Sequence, residues 1–314
     1  MAMHAGQLAV TVEQVQLLVA EQFPDWAQLP VRAVASSGTV NALFRLGDHL
    51  VARFPLVGDD AVEVRAELQL EAAASAELAA TTSVPTPRPV AIGEPGEGYR
   101  LPWAVQTWLE GVDAFRDDPG ASAAFARDLG DFVRTLRRAD TRGRTWRGRG
   151  RGGDLSTHDE WMEACLRASA GLVDVPRVRA LWQQLRVLPS AGSDVMSHTD
   201  LIPGNVLVRD GRLAGVLDGG GFGPADPALD LVGGWHLLEA GPRKVFRETV
   251  GCTDLEWRRG QAWALDAGDG GGLVLPAHQS RHEPDGRPHC HPAAHRQRGV
   301  SPVARASGGA PEAD

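Results

Sequence analysis

The chain is short of several things, and each shortage excludes a class of protein. Its three cysteines, Cys165, Cys252 and Cys290, are scattered and odd in number, so no disulfide framework is implied. Basic residues do not predominate. Lys+Arg total 32 against 40 Asp+Glu, a formal net charge of -8, which argues against nucleic acid as the main partner and favours cationic ligands. No apolar run approaches the length needed to cross a bilayer, and no N-terminal stretch has a basic start followed by an apolar run. A cytoplasmic protein without a membrane partner is the expectation. Aromatic residues are confined to the first part of the chain: all nine Trp, all eight Phe and Tyr99 lie at or before Trp263. The residues after it therefore lack the bulk for a normal core, and 266–314 reads as an atypical, disordered tail.

What is present is concentrated in one stretch. Residues 195–218, VMSHTDLIPGNVLVRDGRLAGVLD, place His198, Asp200 and Asn205 in a polar turn, followed by Val206, Leu207 and Val208, then Asp210-Gly211, then a second apolar run ending in Asp218. This predicts loop, strand, tight turn, strand, with a carboxylate at the end. A hairpin of that kind brings Asp200, Asn205 and Asp218 towards one volume, and three oxygen-bearing side chains there suit a hard cation and a proton acceptor. Asp and Asn also serve ordinary turns through local hydrogen bonds. Here, however, His-x-Asp precedes an Asn by five residues and an Asp follows on the next strand, the order and spacing of a phosphoryl-transfer loop.

SHTDLIPGNVLV followed by GVLDGGGFGPADPALDL resembles the aminoglycoside phosphotransferase family of the kinase-like fold, in which a His-x-Asp-x-x-x-x-Asn loop is followed by Asp-Pro-x-x-Asp-Leu, here Asp226 to Leu231. The resemblance covers about residues 30–265 and is strongest over 195–235. It implies an α+β, protein-kinase-like two-lobe fold, with a small antiparallel-sheet N-lobe (1–109) and a mainly helical C-lobe (110–265). It also implies transfer of the γ-phosphoryl group of ATP or GTP, with Mg2+, to a hydroxyl of a small molecule, first of all an aminoglycoside-type antibiotic. By the same resemblance Asp200 is the base, His198 supports it, and Asn205 and Asp218 hold the metal. The family commonly has an aromatic residue where this chain has Gly219, which is expected to cost packing and leave Asp218 less firmly held.

Upstream, a helix opening at Thr11 is followed by strand runs at 31–35, 42–46 and 50–54. Their first separator contains Ser37 and Gly38, whose backbone would lie over a bound triphosphate. Arg53 stands where the resemblance places a phosphate-binding lysine; Glu67 and Glu71, one turn apart on a helix over 60–80, are its candidate partners, and the family's distance to the Pro-x-Pro at 85–87 favours Glu71. Gln106 and Trp108, on a strand over 103–108 before a hinge at 109–111, are candidates for the nucleotide edge. Helices are expected over 121–138, 158–170, 175–188, 229–239 and 255–265. The Arg- and Gly-dense segment 142–151 reads as a solvated connection rather than a nucleic-acid patch. Asp226 and Asp230 could meet a cationic substrate, but Asp230 is weighed as a brace for the catalytic loop.

Two other functions fit less of the sequence. One is the same chemistry on a macrolide, choline or homoserine; the other is a catalytically weak nucleotide-binding protein, suggested by Arg53, Gly219 and the tail. In that tail His289, Cys290, His291 and His295 resemble a soft metal cluster, but Pro284, Pro288 and Pro292 interrupt it. Read one nucleotide later with permitted codons, residues 268–284 can spell Ala-Met-Gly-Gly-Val-Trp-Tyr-Tyr-Leu-Arg-Thr-Ser-Arg-Ala-Met-Ser. This resembles the helix with which family members continue the C-lobe, and its loss would expose apolar surface over 255–265. The tail is accordingly read as out of frame. Sequencing the codons for residues 265–272 tests this: the alternate frame should encode the aromatic-rich segment, and its absence ends the idea.

Overall fold

The computed structural model describes residues 8–34, 40–148 and 150–267. The N-terminal part is a five-stranded antiparallel sheet in the order β1-β2-β3-β5-β4, formed by β1 (Val31–Val34), β2 (Asn41–Leu46), β3 (Leu50–Pro55), β4 (Pro89–Gly93) and β5 (Trp103–Thr107). One side chain in two turns inward along β3, so Ala52 and Phe54 join Phe44, Leu46, Trp103 and Val105 in a single core. Phe54 stacks on Trp103 with ring centroids 4.8 Å apart. Helix α1 (Val12–Gln22) closes this core with Val15, Leu18 and Val19, and starts at Thr11 with the reciprocal Thr11–Gln14 capping box that its sequence suggests.

Helix α2 (Ala61–Thr81) begins where the Asp60 carboxylate accepts the N–H of Val62 at 2.7 Å. Its long run of Ala, Leu and Glu favours helix. Val64 and Leu68 pack into the N-terminal core, whereas Leu78 belongs to the core of the other lobe. The helix thus reaches across both.

The second core is organised on α3 (Ala123–Arg137). Ser122 caps it through the Phe125 N–H and donates to the Gly211 carbonyl at 2.8 Å, tying the helix start to a hairpin turn. Phe125, Leu129, Phe132, Val133 and Leu136 form the expected apolar face, each such burial contributing about 1.5–3 kcal/mol. The hairpin is β8 (Val206–Arg209) and β9 (Arg212–Val216), with φ of 52° at Asp210 and 66° at Gly211, the twist that a two-residue antiparallel turn needs. Short β6 (Val112–Asp113) pairs with β8, and β7 (Val195–Ser197) pairs with β10 (Gly223–Ala225). Helices α4 (Asp159–Ala168), α5 (Val175–Leu185), α6 (Val232–His236), α7 (Ala240–Val250) and α8 (Asp254–Asp266) complete the lobe.

Three expectations are corrected. The single helix over 229–239 is a 3-10 turn, Leu229–Leu231, followed by the short α6. Helix α7, which was not expected, lies along α3; Gly130 permits the approach, since a Cβ there would sit 2.8 Å from the Thr249 Cβ. Of the apolar surface expected on 255–265, Ala262, Trp263, Ala264 and Leu265 are instead buried, while Leu255 and Trp257 are half-buried. Residues 268–314, with the proposed disorder, the metal-like cluster and the frame reading, lie outside the described residues.

Helix α8 is fixed by a buried ion pair. Arg259 and Asp226, each 4% exposed, pair directly. Trp263 Nε1 donates to the same carboxylate at 3.0 Å, and Arg259 also donates to the Leu188 and Pro189 carbonyls at 2.8 and 3.0 Å. Arg259→Met leaves that carboxylate charged, buried and short of donors. It should cost about 3–5 kcal/mol by urea unfolding, and a loss below about 1 kcal/mol would show the pair to be unimportant.

Candidate active site

The polar turn predicted from sequence forms between β7 and β8. Its shape is imposed by Asp230, whose carboxylate accepts the backbone N–H of His198 at 2.7 Å and of Thr199 at 3.0 Å. Thr199 has φ of 77°, a conformation L residues seldom adopt and which such bonding must hold in place. His198 is fully buried. Its Nε2 lies 2.9 Å from the Leu217 carbonyl, which can only accept, so Nε2 carries the proton and Nδ1 faces the Asp200 N–H at 3.4 Å. With both nitrogens used and no exposure, His198 braces the loop. It has no exposed surface to offer the cleft.

Asp200 is thereby turned to the surface of the cleft, its side chain 29% exposed. Asn205 Nδ2 donates to Asp200 Oδ2 at 2.7 Å and to the Asp200 carbonyl at 3.1 Å, which leaves the Asn205 amide oxygen as an acceptor. The Leu217 N–H donates to the Asn205 carbonyl at 2.7 Å, so the turn and the start of the Asp218 segment are stitched together. Asp218 follows with φ 58° and ψ 48°, left-handed backbone that aims its carboxylate into the cleft, where Arg53 Nη2 meets Oδ1 at 3.1 Å.

Gly219 does not loosen this arrangement, contrary to expectation. A Cβ at Gly219 would lie 2.6 Å from Leu78 Cδ2, one at Gly220 3.0 Å from Glu71 Cγ, and one at Gly221 2.5 Å from Thr199 Oγ1. The glycines let α2 and the turn at Thr199 close directly on the Asp218 segment, replacing the packing an aromatic would give.

Arg53 and Glu71 both face the cleft without forming the expected pair. Arg53 bonds Asp218, and its Nη1 lies 3.5 Å from Gln106 Oε1. Glu71 is reached by solvent yet enclosed by both lobes; burial raises its pKa, Arg53 partly offsets that, and Asp218 adds to it. Gln106 is therefore placed at the site through its side chain. The nucleotide-edge role of Trp108 is not supported: β5 is an interior strand, the Trp108 N–H donates to the His49 carbonyl at 2.7 Å, and Arg45 covers its ring. Ser37 and Gly38 lie outside the described residues.

Asn205 and Asp218 offer an amide oxygen and a carboxylate. Among the described residues no group of three or more His, Cys, Asp or Glu gathers into a cage for a metal. An amide oxygen and a carboxylate side by side suit Mg2+, which is commonly held by one or two carboxylates together with phosphates of a bound nucleotide.

Sequence reasoning missed the segment 142–153. Arg144 makes a bidentate pair with Glu77 of α2, at 2.6 and 3.0 Å, and Arg151 pairs with Asp200 itself. Arg144 and Arg151 are thereby engaged within the protein, while residues 142–145, 147, 148 and 150 are exposed, as a solvated connection would be. The glycines around Trp146 were the available signal: a Cβ at Gly153 would strike its ring at 2.6 Å.

The geometry agrees with the comparisons. The sequence profile of the phosphotransferase enzyme family matches residues 31–263, and the chain belongs to that family. Its fold is similar to that of aminoglycoside 2'-phosphotransferase-IIIa in its GDP complex, at TM-score 0.60 and 19% identity over 81% of this chain and 88% of that one. It is also similar to macrolide 2'-phosphotransferase MphH from Brachybacterium faecium (0.56, 20%, 80% and 88%). A third similar structure is aminoglycoside phosphotransferase APH(3'')-Id from Streptomyces rimosus (0.54, 20%, 82% and 98%). No curated protein matches significantly. Among the described residues no helix is long and apolar enough to cross a membrane.

Behind the site, His158 Nδ1 lies 2.9 Å from Asp266 Oδ1 and Nε2 lies 3.1 Å from the Gly150 carbonyl. Burial opposes the imidazolium, but the Asp266 carboxylate and the Gly150 carbonyl outweigh it and hold the pKa above the ordinary value. The stabilisation is complete below the unfolded pKa of about 6.5 and is lost as pH rises through the higher folded value. Urea midpoints measured across neutral to mildly alkaline pH should fall more steeply for the parent than for His158→Gln; parallel curves would contradict the pairing.

Proposed function

We propose that this phosphotransferase moves the γ-phosphoryl group of ATP or GTP to a hydroxyl of a cationic small molecule, first of all an aminoglycoside-type antibiotic. The observation that carries the reading is the Asp200–Asn205 turn, locked by Asp230 and His198 and joined through Leu217 to Asp218. The structures described above include an aminoglycoside enzyme with GDP, which supports nucleotide use, and the net charge of -8 favours a cationic acceptor. A macrolide is the second acceptor class, on the strength of the likeness to MphH.

In this reading Asp200 accepts the proton of the acceptor hydroxyl as its oxygen forms a bond to the γ-phosphorus. The bond from phosphorus to the bridging oxygen breaks, and its electron pair leaves on the nucleoside diphosphate. Arg53 meets the phosphates, while Gln106 steadies its guanidinium. Asn205 and Asp218 would hold Mg2+, which when bound offsets charge on the triphosphate. Arg53 has to exchange Asp218 for phosphate when nucleotide enters. Its present contact keeps the carboxylate aimed into the cleft.

Two substitutions separate the roles. Asp200→Asn should lower kcat by about 10^3-fold or more while nucleotide affinity stays within a few-fold, since the metal ligands remain. Asp218→Ala should abolish magnesium-dependent nucleotide binding. Calorimetry with each nucleotide, beside an acceptor screen following diphosphate release with kanamycin and a macrolide, checks both. Unchanged turnover in the first or unchanged binding in the second would remove that assignment.

A further inference from the structure

The segment 142–153 is built around the presentation of one side chain. Three successive carbonyls are each held: Gly150 by His158 Nε2 at 3.1 Å, Arg151 by the indole N–H of Trp146 within the same segment at 3.2 Å, and Gly152 by the Asp226 N–H at 2.9 Å. Gly152 has φ of 112°, and a Cβ there would lie 2.8 Å from Trp146 Nε1, so glycine is required. A connection that merely spans two helices needs none of this. Its product is Arg151, half-buried with its guanidinium on Asp200 Oδ1.

That contact is not needed to orient Asp200. Asn205 already holds Oδ2, and the backbone is fixed by Asp230 and His198. Arg151 carries five N–H donors in a planar fork, more than one carboxylate oxygen can use. A general base works on a hydroxyl oxygen about 2.6–3.2 Å away, and that oxygen approaches the phosphorus from about 3–3.5 Å. A guanidinium touching the base is therefore within reach of the oxygens of the group in transit.

We propose that Arg151 is a further catalytic residue, bridging Asp200 and the non-bridging oxygens of the phosphoryl group as it passes from the nucleoside triphosphate to the acceptor. The role rests on the phosphotransfer reading above. While the bridging bond breaks towards the diphosphate and the acceptor proton moves to Asp200, the three non-bridging oxygens carry charge that Arg151 meets from the acceptor side. Arg53 lies on the opposite, nucleotide side, bonded to Asp218. The two arginines so flank the transfer.

The test measures phosphate release from MgATP and MgGTP with water as acceptor, and diphosphate release with kanamycin as the probe acceptor, for the parent, Arg151→Ala, Arg151→Lys and Asp200→Asn. Arg151→Ala should lower kcat by about 10^2-fold or more with the nucleotide KM within about threefold, and Arg151→Lys should fall between. Guanidinium chloride below denaturing concentration should restore about tenfold of the activity of Arg151→Ala, because the added ion supplies the missing fork of donors. A merely structural arginine would show no such rescue. Activity within about threefold of the parent, or a loss that guanidinium leaves untouched, overturns the role. A parent that turns over neither nucleotide, or an Asp200→Asn variant equal to it, overturns the phosphotransfer reading instead, and the Asp200→Asn arm tells the two failures apart.

Discussion

The site depends on a carboxylate that never meets a substrate. Asp230 is buried, and it takes two consecutive backbone N–H groups, those of His198 and Thr199. Two parallel bonds to one charged acceptor fix the direction of the peptide between them, and that direction decides where Asp200 points. Thr199 could not otherwise stay at φ 77°. The brace in turn rests on the Asp226–Arg259 pair, because Asp226 begins the turn that carries Asp230 and bonds the Ala228 N–H at 2.9 Å. Helix α8 thus supports the turn that carries Asp200 through two aspartates in succession.

Residues whose role is expressed locally were legible in the sequence. The Asp210-Gly211 turn, the Thr11 cap and the apolar face of α3 follow from backbone preference and period, and each formed as its residues suggest. So did the turn holding Asp200 and Asn205, because five residues and a hairpin leave little freedom. Long-range pairing was not legible. Nothing near Arg151 signals that it will face Asp200, forty-nine residues away, and Glu77 and Arg144 are partners across lobes. Helix α7 was missed because its apolar positions are sparse. Trp108 was misplaced because a strand's neighbours, and hence whether its edge is open, are a property of the sheet.

Arg53 shows how a local departure can be absorbed. Lys244 is the only lysine in the chain, so basic contacts fall to arginine throughout. A guanidinium has two arms, and here one reaches Asp218 while the other nears Gln106, where an ammonium would act as a point charge. Glu71, without that pairing, is left with its proton affinity raised, burial outweighing the nearby Arg53.

Helix α2 has a mechanical consequence. Its 21 residues span about 30 Å, with Val64 and Leu68 seated in one core and Leu78 in the other. Glu77, near the same end, is clasped by Arg144. The helix is a beam clamped at both ends, with Glu71 between the clamps and Gly219 and Gly220 pressed against its side. Such a beam resists sliding of one lobe past the other and leaves rocking of the sheet as the softer motion. Opening of the cleft then tilts Arg53 away on β3 while Asp218 keeps its place beside the beam, so the Arg53–Asp218 contact is the first to part.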